Sequence, residues 1–201
     1  MADAAQAEAP EEEPAWLLAP PAAGRYRGPA AADLTAAQRA VREEVLATRP
    51  GTGLRGPFGP WLGAPALAAA AQRLGRVCRY GTSLSRRRSE LVILVTAEHW
   101  RSRTEFRLHE PEARAAGLSA AEVDALKRGR APAFADPADR ALHAFARQLL
   151  ATGGAGVADD AYAAACRHLG EVAVVEAVGI AGYYSLVALT LGAFGVGEED
   201  G

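Results

Sequence analysis

The chain has 201 residues, a formal net charge of −2, and hydrophobic side chains at half of its positions. This length suits one domain of about 150 residues plus tails, and the balanced charge excludes the basic surface expected of a nucleic-acid-binding protein. The cysteines, Cys78 and Cys166, are far apart and have no CxxC or metal-site spacing. We therefore expect a cytoplasmic protein with free thiols, no metal and no disulfide framework.

The N-terminal region differs in composition from the rest of the chain. Residues 1–32 are rich in Ala, Pro and Glu with little periodicity, which predicts a disordered arm ahead of a folded domain over residues 33–197. The arm starts with acidic residues and lacks the basic start and apolar stretch of a signal peptide. Trp16 lies within it, and can dock either onto the body or onto a neighbouring subunit.

Apolar residues at helical spacing, capping residues and terminal glycines predict seven or eight helices, and no stretch alternates like a strand. This pattern predicts an all-α, single-domain helical bundle. Residues 49–61, with three prolines and four glycines, are predicted to form a loop without helix. Ser119 and Glu122 form a capping-box signature. The predicted helices cover residues 35–48, 65–80, 86–101, 102–116, 119–128, 136–152, 159–169 and 171–194.

The last predicted helix contains an uncharged stretch, residues 177–197, that is long enough to span a membrane. It contains five glycines and has no basic flanking residues, unlike most spanning helices. We therefore expect a buried helix in a domain core or an oligomer interface, and no membrane association.

Three ionisable residues occur at helical spacings in and after a strongly apolar run. Glu90 enters a helix that continues Leu-Val-Ile-Leu-Val, and Glu105 lies four residues before His109, on the same helix face. Burying such groups is unfavourable unless they are paired or used in chemistry. A carboxylate beside an imidazole fixes its tautomer, and such a pair can move protons without a cofactor.

Each of these residues also has a purely structural interpretation. Glu105 and His109 can form an exposed surface pair worth a few tenths of a kcal/mol, and this is the more common outcome for the spacing alone. Glu90 can interact favourably with the dipole at the N-terminus of its helix. Aromatic residues such as Trp61 belong by default to the core, whereas Tyr183 or its neighbour can offer a hydroxyl to a pocket.

Several short motifs occur in an order that resembles one known family. They are Gly56-Pro57-Phe58, Trp61-Leu62, Leu74-Gly75, Arg79-Tyr80-Gly81, Glu90-Leu-Val-Ile-Leu-Val, Thr104-Glu105-Phe106-x-x-His109, Ala115-Ala-Gly117-Leu-Ser and Gly182-Tyr183-Tyr184. Over residues 55–194 the chain resembles the carboxymuconolactone decarboxylase family, which includes the alkylhydroperoxidase D-like proteins. This resemblance implies an alkylhydroperoxidase D-like helical fold and a homo-oligomer: a dimer, trimer or hexamer.

The chain departs from the peroxidase members of that family at two positions. Ser102 and Glu105 stand where those members have the two cysteines of a CxxC motif, so thiol-based peroxide reduction at these positions is excluded. Glu90 and His109 fall on the family's acid and histidine positions. The resemblance therefore implies the branch without the CxxC motif.

The expected activity follows from this resemblance. It implies a cofactor-independent lyase that decarboxylates a small carboxylated lactone or related carbonyl compound through an enolate. The expected catalytic residues are His109, Glu105 and Glu90, and the expected substrate-binding residues are Arg79, Arg101, Arg103, Trp61 and Tyr183. Two alternatives remain open: a non-redox isomerase or ring-opening enzyme of specialised metabolism, and a non-catalytic oligomer that binds a small molecule.

Overall fold

The structure is a computed structural model that describes residues 12–20, 23, 25–49 and 53–197. Across these residues the chain is helical and contains no strand, which confirms the all-α prediction. Eight of the ten α-helices are longer than one or two turns, and they match the eight predicted segments to within two residues at each end. The helices are α1 Ala15–Leu18, α2 Ala36–Thr48, α3 Phe58–Leu62, α4 Pro65–Tyr80, α5 Arg86–His99, α6 Arg103–Ala115, α7 Ala120–Lys127, α8 Pro137–Ala151, α9 Asp159–Leu169 and α10 Glu171–Phe194.

Helix α5 lies at the centre of the bundle, and α6, α8 and α10 pack around it. Its residues from Ser89 to Glu98 are all buried, because neighbours cover it on every side. The Leu-Val-Ile-Leu-Val run therefore belongs to a helix without a solvent face. Glu90 is the fifth residue of α5, beyond the first turn, so the interpretation of Glu90 as an N-terminal dipole partner is wrong.

The helix starts follow local capping chemistry. The Ser119 hydroxyl accepts from the Glu122 backbone N–H at 3.2 Å, and the Glu122 carboxylate accepts from the Ser119 N–H at 2.7 Å. This confirms the predicted capping box. Thr35 makes the same arrangement with Gln38 at the start of α2.

The prediction that residues 49–61 contain no helix is wrong for its last part. Residues 53–57 form turns, but α3 begins at Phe58 and runs to Leu62. Its prolines do not prevent it, because Pro57 precedes the helix and Pro60 lies in the first turn, where no intrahelical acceptor is needed for an N–H. Residues 50–52 lie outside the described part of the chain.

The N-terminal segment was predicted to be disordered over residues 1–32, and residues 1–11, 21, 22 and 24 lie outside the described part. The described residues pack on the body. Leu17, in α1, is 1% exposed and belongs to the main hydrophobic core. Trp16 packs edge-on against Phe106 with ring centroids 5.5 Å apart, so Trp16 docks onto its own chain.

Helix α10 is long and apolar enough to cross a membrane by length and composition alone. Half of its most apolar 18-residue window is buried inside the fold, and the core helix of a soluble protein has the same properties. One face packs on α4, α5, α8 and α9. The opposite face presents Val172, Val175, Val178 and Leu189 to solvent.

Candidate active site

The three ionisable residues singled out in the sequence meet inside the bundle. Glu90 projects from α5, and Glu105 and His109 project from α6, which packs closely against α5. All three side chains are buried, with exposed fractions of 1%, 3% and 5% respectively. The prediction of an exposed Glu105–His109 surface pair is therefore wrong.

Both ring nitrogens of His109 contact a carboxylate. Nδ1 lies 2.7 Å from Glu90 Oε2, and Nε2 lies 3.3 Å from Glu105 Oε1. The short contact to Glu90 favours the tautomer in which Nδ1 carries the hydrogen and donates it to that carboxylate. Nε2 is then the position that exchanges a proton with Glu105. Both carboxylates are therefore partners of His109.

Burial controls the protonation of Glu105. Removal from water raises the pKa of this carboxyl, and nearby Glu90 raises it further, whereas His109 and Arg79 lower it. The raised pKa of Glu105 favours the neutral carboxyl, which can donate its proton toward His109. The arrangement thus places the imidazole between the Glu90 carboxylate, which orients it, and the Glu105 carboxyl, whose raised pKa favours protonation.

Glu105 and His109 face a pocket of about 200 Å³ that is bordered by α4, α6, α10 and the turn before α3. Glu105 and His109 form part of its wall, and residues from the turn before α3 form its rim. The other lining residues are Arg49, Arg55, Gly56, Pro57, Phe58, Arg79, Leu108, Glu112, Tyr183, Tyr184 and Val187. A small molecule that enters this pocket therefore lies next to Glu105 and His109.

Arg79 brings a cationic group into the pocket. Its Nε atom is buried and has no hydrogen-bond partner, and its nearest ion-pair contact is a loose one, 3.8 Å from Nη2 to Glu112 Oε1. Leaving a buried donor unsatisfied costs about 1–3 kcal/mol, so such a group is suited to a ligand acceptor. A carboxylate is the acceptor that matches a guanidinium in shape and charge.

Two tyrosines of α10 complete the wall next to His109. The Tyr184 ring stands edge-on to the imidazole with centroids 5.1 Å apart, and it stands edge-on to Tyr183 at the same distance. Burial raises the pKa of Tyr183 to about 12 and that of Tyr184 well above its usual value. Both phenols therefore keep their protons at neutral pH.

The structure places the predicted substrate-binding residues at three locations. Arg79 and Tyr183 lie in the pocket with His109. Arg101 and Arg103 line a different pocket, of about 210 Å³, and Arg101 Nη1 pairs with Glu98 at 2.6 Å. Trp61 lies behind Tyr183, where its indole N–H donates to Thr190 Oγ1 at 3.0 Å.

Arg49, Arg55 and Glu112 line the pocket although no sequence pattern assigned them to the site. Tyr184 also lines it, in agreement with the expectation that Tyr183 or its neighbour faces a pocket. Arg49 begins the Pro/Gly-rich segment and Arg55 lies within it, and no periodic pattern relates that segment to α6 or α10. Only tertiary packing brings them to the site.

No cysteine occurs among the residues that line the pocket, and Ser102 is a buried residue that precedes α6. Cys78 lies in α4, where burial raises the pKa of its thiol to about 11. A thiol with such a pKa is a poor nucleophile at neutral pH. Among the described residues, no group of three or more His, Cys, Asp or Glu side chains is arranged to hold a metal ion.

Comparison with known proteins identifies the fold. A solved structure from Agrobacterium tumefaciens matches this chain with a TM-score of 0.60, over 70% of this chain and 95% of its own. That protein is described as one of unknown function and a candidate AhpD antioxidant defence protein. The fold is AhpD-like. The sequences are 17% identical, so the likeness extends to the fold alone. No family model and no curated protein matches the chain.

Proposed function

We propose that this protein is a cofactor-independent acid/base enzyme that decarboxylates a small carboxylated lactone or a related carbonyl compound. The observation that carries the proposal is the buried Glu90–His109–Glu105 arrangement at the wall of an accessible pocket. The resemblance of the motif order to the carboxymuconolactone decarboxylase branch without a CxxC motif supports the same reaction class. The absence of cysteine from the pocket lining argues against a thiol peroxidase.

The proposed reaction uses the residues in distinct roles. Arg79 holds the substrate carboxylate through its partnerless Nε and its neighbouring N–H groups. When the bond to the carboxylate breaks, its electron pair moves into the conjugated carbonyl, which releases carbon dioxide and leaves an enolate. The carbon that lost the carboxylate then takes one proton from the His109–Glu105 pair, and the electron pair of the enolate forms the new C–H bond.

Glu90 acts on the substrate through His109. Its carboxylate fixes the imidazole and is itself contacted by Arg86, whose Nε lies 3.4 Å from Glu90 Oε1. Because His109 is packed against Tyr184 as well, its ring has little freedom to rotate. His109 and Glu105 line the pocket, which argues against a non-catalytic binding protein in which the Glu/His group only stabilises the core.

Replacing His109 tests the proposal. We expect His109→Ala to lower the rate of carbon dioxide release from a carboxylated lactone by about 10²–10⁴-fold, the usual contribution of a general acid or base. His168→Ala is the matched control, because His168 is exposed on α9, and it should leave the rate unchanged. Equal turnover by the His109 variant would contradict the role. If the substrate rearranges without gas release, the isomerase alternative is correct.

A further inference from the structure

Tyr183 occupies a position that depends on the absence of a side chain in the neighbouring helix. Gly75 is buried in α4, and a Cβ atom built there would lie 2.2 Å from Tyr183 Oη and 2.6 Å from Arg49 Nη2. The hydroxyl and the guanidinium therefore share the space that any other residue at position 75 would fill. A mid-helix glycine costs about 1 kcal/mol relative to alanine, so local helix formation does not explain it.

The arrangement makes Tyr183 a donor with a fixed direction. Arg49 and Tyr183 both line the pocket that contains His109, and the guanidinium faces the phenol oxygen. Arg49 is itself held by Gln72, whose backbone carbonyl accepts from Nη2 at 3.2 Å. Burial outweighs the effect of Arg49 and raises the pKa of Tyr183 to about 12, so the hydroxyl remains protonated and can donate.

Such a donor is useful where negative charge appears during the reaction. In the proposed decarboxylation, the electron pair of the broken C–C bond becomes part of a new C=C bond, and the former carbonyl oxygen becomes an oxyanion. A preorganised donor aimed at that oxygen stabilises the transition state without reorganisation. The Arg49 cation makes the Tyr183 hydroxyl a stronger hydrogen-bond donor, because it favours build-up of negative charge on the phenol oxygen.

We propose that Tyr183 is the hydrogen-bond donor to the substrate's carbonyl oxygen, and that Arg49 and Gly75 are positioning residues for it. The inference rests on the proposed function and restricts the substrate to compounds in which the carbon that bears the carboxylate is bonded to the carbonyl carbon, directly or through a C=C bond. Tyr183 keeps its proton throughout, since it only hydrogen-bonds the enolate oxygen. The proton that enters the product comes from the His109 side of the pocket.

Binding of 4-nitrophenol tests this inference without turnover. Its ionised form carries the charge on a conjugated oxygen, as an enolate does, and absorbs in the visible, whereas its neutral form does not. We expect the wild-type protein to bind it preferentially as the phenolate, so that the bound probe ionises at a lower pH than the free probe. Tyr183→Phe should raise the ionisation midpoint of the bound probe by about one pH unit, equivalent to a tenfold weaker preference.

Variants at the two positioning residues complete the test. Gly75→Ala should shift the midpoint in the same direction as Tyr183→Phe, because the new Cβ displaces the hydroxyl, and Arg49→Gln should cause a smaller shift in that direction. Gly179→Ala is the matched control, because a Cβ there meets nothing within 4 Å and should leave the midpoint unchanged. If circular dichroism shows that the Gly75→Ala variant is unfolded, the midpoint of the Tyr183→Phe variant alone tests the inference.

Two results would overturn the inference: a wild-type protein that does not bind the phenolate, or a Tyr183→Phe variant with the wild-type midpoint. The probe has no carboxylate to lose, so its binding is independent of decarboxylation. Failure of the proposed function is seen separately, as a lack of carbon dioxide release.

Discussion

Both ring nitrogens of His109 contact a carboxylate, because Glu90 lies next to one nitrogen and Glu105 next to the other. The two carboxyl groups are not equivalent. Glu90 is adjacent to the Arg86 cation, whereas burial raises the pKa of Glu105 and favours its neutral form. The Glu105 side is therefore the side from which a proton can pass toward the substrate.

Arg79 lines the His109 pocket and Arg101 lines the other pocket, so the two arginines should differ in their effect on substrate binding. Arg79→Gln should raise KM by about 10–100-fold, because a hydrogen bond to a charged group contributes about 1.5–3 kcal/mol. Arg101→Gln is the matched control and should change KM less than twofold, because Arg101 lines the other pocket and pairs with Glu98. Steady-state kinetics of carbon dioxide release from the carboxylated substrate measures both. A larger effect at Arg101 would contradict this assignment.

The meeting of individual side chains was predictable where a local pattern exposed them. The i,i+4 spacing of Glu105 and His109 and the apolar surroundings of Glu90 pointed to three side chains that meet inside the bundle. The pairing of Glu90 with His109 crosses from α5 to α6 and spans 19 residues, so sequence could suggest it but not establish it. Arg49 was missed because no local pattern links the end of α2 to Tyr183 on α10.

At the scale of elements, the eight long helices follow from capping residues, terminal glycines and helical periodicity, which act locally. The short α1 and α3 do not, because their stability comes from packing on the body. Leu17 shows this most clearly: it lies in an Ala/Pro-rich segment with no helical period, yet it is 1% exposed. Several polar contacts also hold this segment, including a hydrogen bond of 3.0 Å from Arg107 to the Leu17 carbonyl.

Two adjacent leucines test whether this segment belongs to the folded domain. Leu17→Ala should lower the free energy of unfolding by about 2–3 kcal/mol, the lower part of the range for buried leucines. Leu18→Ala should change it by less than about 0.5 kcal/mol, because Leu18 is 61% exposed. Urea unfolding followed by circular dichroism measures both values. Equal effects of the two substitutions would show that the segment is not docked in solution.

At the scale of the whole molecule, α10 contributes residues to two surfaces. Its inner face supplies Tyr183 and Tyr184 to the pocket, and its outer face presents Val172, Val175 and Val178 at spacings of three residues. Val175 is 71% exposed. A contiguous apolar stripe of this kind is typical of a surface that another protein covers. We propose that a second copy of the chain covers it, in line with the predicted homo-oligomer.

A charge on this stripe should break the assembly. We expect Val175→Asp to reduce the molecular mass measured by analytical ultracentrifugation to that of the 20.9 kDa monomer. Ala163→Asp places the same charge on an exposed position of α9 and should leave the mass unchanged. A wild-type protein that is already monomeric, or a Val175 variant that remains assembled, would contradict the proposed contact.

The most direct test of the acid/base account is decarboxylation of a carboxylated lactone in D₂O, followed by mass spectrometry and NMR of the product. The account predicts one deuterium for each carbon dioxide released, located on a carbon of the former enolate system, and loss of this product in His109→Ala. Carbon dioxide release without deuterium incorporation, or at an equal rate in the His109 variant, would contradict proton delivery by the Glu90–His109–Glu105 arrangement.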